Sequence, residues 1–163
     1  DMRGAQPSRG NIEGGLTTLE EKSLGAAKKA GSAQFSGVLE YADQVPKSGL
    51  YFMDTPGHDT EQLTGFAAGG INVVVFTTGR GTPTGSAIMP TIKVATNTTM
   101  ATAIPDLIDL NAGTIADGLK TLADVGGELF DLIIEVANGK LTKAEKGLHH
   151  EFSLSRMYNT VIK

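Results

Sequence analysis

Residues 77–86 read TTGRGTPTGS and gather four threonine hydroxyls, one guanidinium and three glycines into a single stretch. Thr77, Thr78, Gly79, Arg80 and Gly81 form its first half. Glycines let backbone amides approach a ligand closely, and Arg80 can clamp a carboxylate through two parallel hydrogen bonds, so this is anion-binding chemistry. A glycine-rich turn with an exposed arginine is the competing reading. Residues 54–59, DTPGHD, place Asp54, His58 and Asp59 close together. Two carboxylates and an imidazole suit a hard divalent ion or proton transfer. The simpler alternative is a turn in which Asp54 caps the next helix and His58 is solvated. Glu20, Glu21 and Lys22 stand at a helix start beside Gly14 and Gly15. There they either complement the helix dipole or bring a carboxylate or amine to a site. Asp109 and Asn111 can offer oxygens to a metal or to sugar hydroxyls, although Asn111 can equally cap the turn after it. His149 and His150 are adjacent, so in regular structure they point apart and do not chelate together.

The run DTPGH also occurs in the γ-phosphate-sensing switch of translation GTPases. A nucleotide switch needs a phosphate-cradling G-x-x-x-x-G-K-[ST] loop as well, and neither that loop nor an Asn-Lys-x-Asp guanine reader is present. A strand followed by Asp, Pro and Gly is simply a strand ending in a turn.

The chain has 163 residues, enough for one domain with a real core. Fourteen Lys and Arg against 18 Asp and Glu leave a net charge of −4, and no basic stripe suggests a nucleic-acid surface. With no cysteine, the chain has neither disulfides nor thiolate-bound metal. No apolar run approaches the roughly 20 residues of a membrane span, and no signal peptide is visible. A soluble cytoplasmic protein is the expectation.

The elements that would position these groups alternate strand and helix. Residues 1–15 are polar and glycine-rich and read as a linker from a missing upstream region. Residues 16–148 read as an α/β domain and 149–163 as a tail. Thr17 or Thr18 can cap a helix over residues 18–30, with Glu20 and Glu21 in its positive first turn, stopped by Gly31. FSGVLEYADQVP favours a strand, GLYFMDTPG a buried strand, and HDTEQLTGFAAGG a helix of small residues. INVVVFTTGRG is the clearest strand. Its unbroken β-branched run fits a parallel strand covered on both faces, making a βαβ unit with the segments before it. TIKVAT and DLIDLN are further strands flanking a short helix at TTMATAI, and a long helix spans about residues 116–138. The fold class expected is a Rossmann-like three-layer α/β domain with a mostly parallel sheet. The strand carboxyl ends, where open α/β folds bind ligands, are then DTPGHD, TTGRGTPTG, TNT and NAGT.

Taken in order, GNIEGGLTTLEEKSLGAAKKAG, GLYFMDTPG, FTTGRGTPTG, PTIKVATN and DLIDLNAGTIADG resemble the carboxy-terminal part of the altronate and galactarate dehydratase family of sugar-acid dehydratases. That family also includes a sulfolactate sulfo-lyase large subunit. The resemblance covers residues 10–149 and implies a domain of a longer polypeptide, inactive alone, whose upstream regions carry Cys and His residues absent here. It implies loss of water from an aldonate or aldarate, giving a 2-keto-3-deoxy acid, with a divalent metal, iron(II), bound mainly upstream. On that basis Arg80 with Thr77, Thr78, Gly79 and Gly81 holds the substrate carboxylate, and Glu21 and Lys22 are acid or base candidates. Asp54 stands behind the site, and no metal ligand is assigned. The implied partners are a small-molecule sugar acid and the upstream domains, and a homo-oligomer is compatible with it. The alternatives are the sulfo-lyase reaction and a non-catalytic domain that binds sugar acid or assembles subunits.

Overall fold

The computed structural model describes residues 7–13 and 15–154, apart from the side chain of Ala26. Gly14, the first six residues of the linker reading and the last nine of the tail reading lie outside the described residues. In chain order the elements are α1 (Arg9–Glu13), α2 (Leu19–Lys29), β1 (Phe35–Leu39), β2 (Leu50–Met53), α3 (Asp59–Ala68), β3 (Val74–Thr78), β4 (Thr91–Ala95), α4 (Thr98–Ala103), β5 (Leu110–Asn111), α5 (Gly113–Ala116), α6 (Leu122–Ala137) and α7 (Lys143–Lys146). Every strand pair is parallel, as expected, but the strands fall into two sheets, β1-β2 and β3-β4-β5.

The larger sheet is the middle of three layers. The register pairs Val74 with Thr91 and Phe76 with Lys93, so alternate residues of β3 and β4 share a face. On one face Ile92, Val94 and Val73 pack against Val136, Leu129, Leu132 and Ile133 of α6. On the other, Val74 and Phe76 meet Leu63, Phe66 and Ala67 of α3, with Met89 filling between them. Ala95 lies against Met100 and Ala101 of α4, and α7 also packs on β4.

The small residues of α3 have a specific use. Gly65 and Gly69 are one turn apart, and a Cβ on Gly65 would stand 2.3 Å from the Tyr41 ring, while one on Gly69 would meet the Asp43 carbonyl and the Met53 side chain at 2.8 Å. The Tyr41 hydroxyl donates to the Glu61 carbonyl at 2.8 Å. The helix is thereby wedged between the two sheets, its apolar side on β3 and its glycine side on the connections of β1 and β2.

Five expectations change. The βαβ unit through α3 is split, because β2 and β3 lie in different sheets; the helical crossover within one sheet is β4–α4–β5. The strand buried along its whole length is β4, not β3, because the centre of a three-strand sheet is covered from both faces whereas Val75 on the edge is exposed. The GLYFMDTPG strand is only half-buried, with Phe52 exposed, since one face of the two-stranded sheet is open. The long helix begins only at Leu122, behind the one-turn α5. Gly118, at a φ of 71°, ends that turn, and Thr121 and Asp124 form a reciprocal capping box that starts α6. Helix α1 lies inside the stretch read as a linker.

Candidate active site at the carboxyl edge of the sheet

Strand β3 ends at Thr78, and each residue that follows is tied down except one. The Thr78 hydroxyl accepts from the Gly81 amide at 2.9 Å, closing a short turn around Gly79 and Arg80. Gly81 has a φ of 85°, a conformation that favours glycine, and a Cβ there would stand 2.3 Å from Ile104. Asn97 Nδ2 donates to the Gly79 carbonyl at 2.8 Å, while Asn97 Oδ1 accepts from the Met100 amide and caps α4. Thr84 bonds Thr82 through both its amide and hydroxyl, and the Gly85 amide donates to Glu151 Oε2 at 3.0 Å. Arg80 alone projects, exposed, from this braced turn.

Around it stand two lysines. Lys29, in the last turn of α2, donates to the Thr77 hydroxyl at 3.2 Å. Lys22 donates to Asn11 Oδ1 at 3.0 Å, and Gly10, next to Asn11 on α1, lies against the Arg80 guanidinium, where a Cβ would stand 3.3 Å from Nη1. One turn of α1 therefore touches Lys22 on one side and Arg80 on the other. Three cationic side chains thus stand near the end of β3 and the turn after it, the kind of group that an anionic ligand needs.

Glu21 is oriented differently. Its carboxylate accepts from the Thr17 hydroxyl at 2.6 Å and the Thr17 amide at 2.9 Å, while its own amide donates to Thr18, the N-cap of α2. The hydroxyl bond, then the amide bond, hold its pKa below the ordinary carboxylate range. Because the folded pKa is the lower one, the stabilisation is complete above the unfolded pKa and disappears as pH falls through the folded one. We expect Glu21→Gln to lower the melting temperature near neutral pH, the difference shrinking as pH falls below the ordinary carboxylate range. A pH-independent difference in thermal unfolding would refute this role.

The second candidate loop meets the first. Gly57, His58, Asp59, Thr60 and Glu61 line a polar hollow of about 590 Å³ together with Thr84. Asp54 does not cap α3: the N-cap position is His58, without a side-chain bond, and the Asp54 amide donates to the Leu39 carbonyl. Asp109 gives both oxygens to backbone amides, those of Lys93 and Lys143, and so joins β4 to the start of α7. Asn111 caps its turn through the Gly113 amide and holds Thr98. The His149 ring pairs with Glu151. Among the described residues no three His, Asp or Glu side chains converge on a point where they could hold a metal ion. No described helix is long and apolar enough to cross a membrane.

The sequence is similar to known proteins along nearly its whole length. The family model described as D-galactarate/Altronate dehydratase, C-terminal, matches residues 1–160. The chain belongs to this dehydratase family. It is 44% identical to galactarate dehydratase (L-threo-forming) of Escherichia coli strain K12 over 93% of its own length and 29% of the relative's. It is 43% identical to altronate dehydratase of Bacillus subtilis strain 168, covering 91% of the chain and 30% of that protein. With the (2R)-sulfolactate sulfo-lyase subunit beta of Chromohalobacter salexigens it shares 37% identity over 98% of the chain and 41% of that subunit. The chain thus spans between about three-tenths and two-fifths of the length of these curated relatives. Within this dehydratase carboxy-terminal domain, sequence reasoning passed over Asn11, Lys29 and Lys93, and placed Asn97 only within the TNT edge segment without a role. For Asn97 the signal was an Asn-Thr-Thr start before α4, and for Lys93 a charge inside an otherwise uncharged strand.

Proposed function

We propose that this domain forms the carboxylate-holding half of a sugar-acid dehydratase site. The observation that carries the proposal is Arg80, exposed at the tip of a turn whose neighbours are all tied down, at the ligand-binding edge of a parallel sheet. In the reaction, a base removes the proton from the carbon beside the substrate carboxylate. The electron pair delocalises into that carboxylate, and the neighbouring hydroxyl leaves as water. The resulting enol becomes the 2-keto-3-deoxy acid. The transition state concentrates charge on the carboxylate oxygens, where a preorganised guanidinium stabilises it more than it stabilises the substrate. Thr77, Thr78 and the Gly79 and Gly81 backbone shape the cradle. Lys22 adds charge and a proton donor at its rim, whereas Glu21, occupied with Thr17, serves the start of α2.

The divalent ion implied by the resemblance finds no ligand set among the described residues, and the roles of Arg80 and Lys22 do not depend on it. We assign its ligands to regions outside this chain, in a cytoplasmic enzyme. A sulfo-lyase reading has the same first step with bisulfite as the leaving group, and the 37% identity to the sulfo-lyase subunit over 98% of this chain keeps it as the alternative.

The full-length protein, supplied anaerobically with ferrous ion, should convert galactarate or altronate to a 2-keto-3-deoxy acid, measured by chromatography. Release of bisulfite from sulfolactate instead selects the second reading. Turnover of none of the three would overturn both.

A further inference from the structure

Lys93 is the one charged side chain that is fully buried among the described residues, with 0% exposure at the centre of β4. Its ammonium lies on the α3 face of the sheet, the face it shares with Phe76, and donates to the Thr82 carbonyl at 3.1 Å and the Pro83 carbonyl at 2.7 Å. Those carbonyls belong to the turn that presents Arg80. Taking an ammonium out of water costs several kcal/mol unless hydrogen bonds and opposite charge offset it. Burial pushes the Lys93 pKa down, and the attraction of Asp109 and Glu151 opposes that. Both carboxylates are themselves fixed: Asp109 by the amides of Lys93 and Lys143, Glu151 by the Gly85 amide. An apolar side chain of the same length would fill this volume without the desolvation cost. It would also leave two carbonyls without a donor.

We infer that Lys93 is a positioning residue: a buried cation that locks the Thr82 and Pro83 carbonyls and thereby fixes the direction in which Arg80 meets the substrate carboxylate. This rests on the reading of Arg80 as the carboxylate holder. Lys93 never touches substrate. The turn is fixed from the sheet side by Asn97 at Gly79, from within by Thr78 at Gly81, and from below by Lys93 at the two residues after that. Glycines on either side of Arg80 make the backbone intrinsically free, so the direction of the guanidinium depends on these ties.

The test is a double-mutant cycle in the full-length protein with whichever sugar acid it turns over. Lys93→Met should lower kcat/KM about 10²-fold, the size of effect that a small misplacement of a binding group produces. In an Arg80→Ala background the same change should cost less than about threefold, because the group being positioned is already gone. Hydrogen exchange of the amides in residues 79–85 should accelerate at least about tenfold in Lys93→Met. Lys93→Gln, which retains a donor for one carbonyl, should fall between and carries the cycle if the Met variant does not fold. Equal losses in both backgrounds, or a lowered melting temperature with unchanged kcat/KM, would mean that Lys93 only supports the core and would overturn the inference alone. An Arg80→Ala variant with undiminished kcat/KM would overturn the reading of Arg80 and the inference with it.

Discussion

Replacing Arg80 by Ala in the full-length protein is expected to lower kcat/KM for its sugar acid by about 10²- to 10³-fold, the loss typical of removing one preorganised donor from a developing anion. The melting temperature should hardly move, because the side chain is exposed and its neighbours are fixed by bonds it does not make. The loss should appear in kcat as well as KM, since charge on the substrate carboxylate grows as the proton leaves. Arg80→Lys should recover only part of it: an ammonium keeps the charge but cannot form two parallel hydrogen bonds. Steady-state kinetics of the three proteins checks this. A loss below about threefold for Arg80→Ala would remove the guanidinium from the site, leaving a domain that binds or assembles without shaping the transition state.

Gly113→Ala is expected to destabilise the fold by about 3 kcal/mol, the upper end of typical overpacking. A Cβ at this position would stand 2.2 Å from the Thr98 amide nitrogen and 2.4 Å from the Asn97 carbonyl carbon. Both are backbone atoms, so no rotamer change relieves the contact and α5 must move away from α4. For a domain of this size that corresponds to a fall of about 6–12 °C in melting temperature. The same displacement disturbs Asn97, which holds the Gly79 carbonyl beside Arg80, so activity should fall even in molecules that remain folded. Gly126→Ala is the control: a Cβ there meets nothing within 4 Å, and Ala in place of Gly inside α6 should stabilise by about 0.5–1 kcal/mol. Thermal unfolding of both variants separates the outcomes. If Gly113→Ala melts like the wild type, the close approach of α4 and α5 is wrong.

Local chemistry made several features legible. Thr18 before an acidic first turn specified α2 almost to the residue, and HDTEQLTGFAAGG was legible as a helix of small residues. The TTGRGTPTG stretch showed by composition alone that its backbone would turn sharply and carry one guanidinium. Thr121 and Asp124 formed an equally local signal for the start of α6, which the helix reading from residue 116 ran straight through.

Placement across distance was not legible. Lys29 meets Thr77, 48 residues further along, only because α2 comes to lie against the end of β3. The division of the strands into two sheets follows from how α3 wedges between them, and no strand contains that information in its own sequence. The sequence by itself determined the family, the alternation of helix and strand, and the chemical character of the Arg80 turn, because propensity, capping and turn geometry act over a few residues. Only the tertiary structure decided which strand is central, which carboxylates are already engaged by backbone amides, and that a buried Lys93 holds the turn beneath Arg80. Burial and hydrogen-bond partnership belong to pairs of segments, and for Lys93 the cost of losing water is offset only by carbonyls that the fold carries back to it.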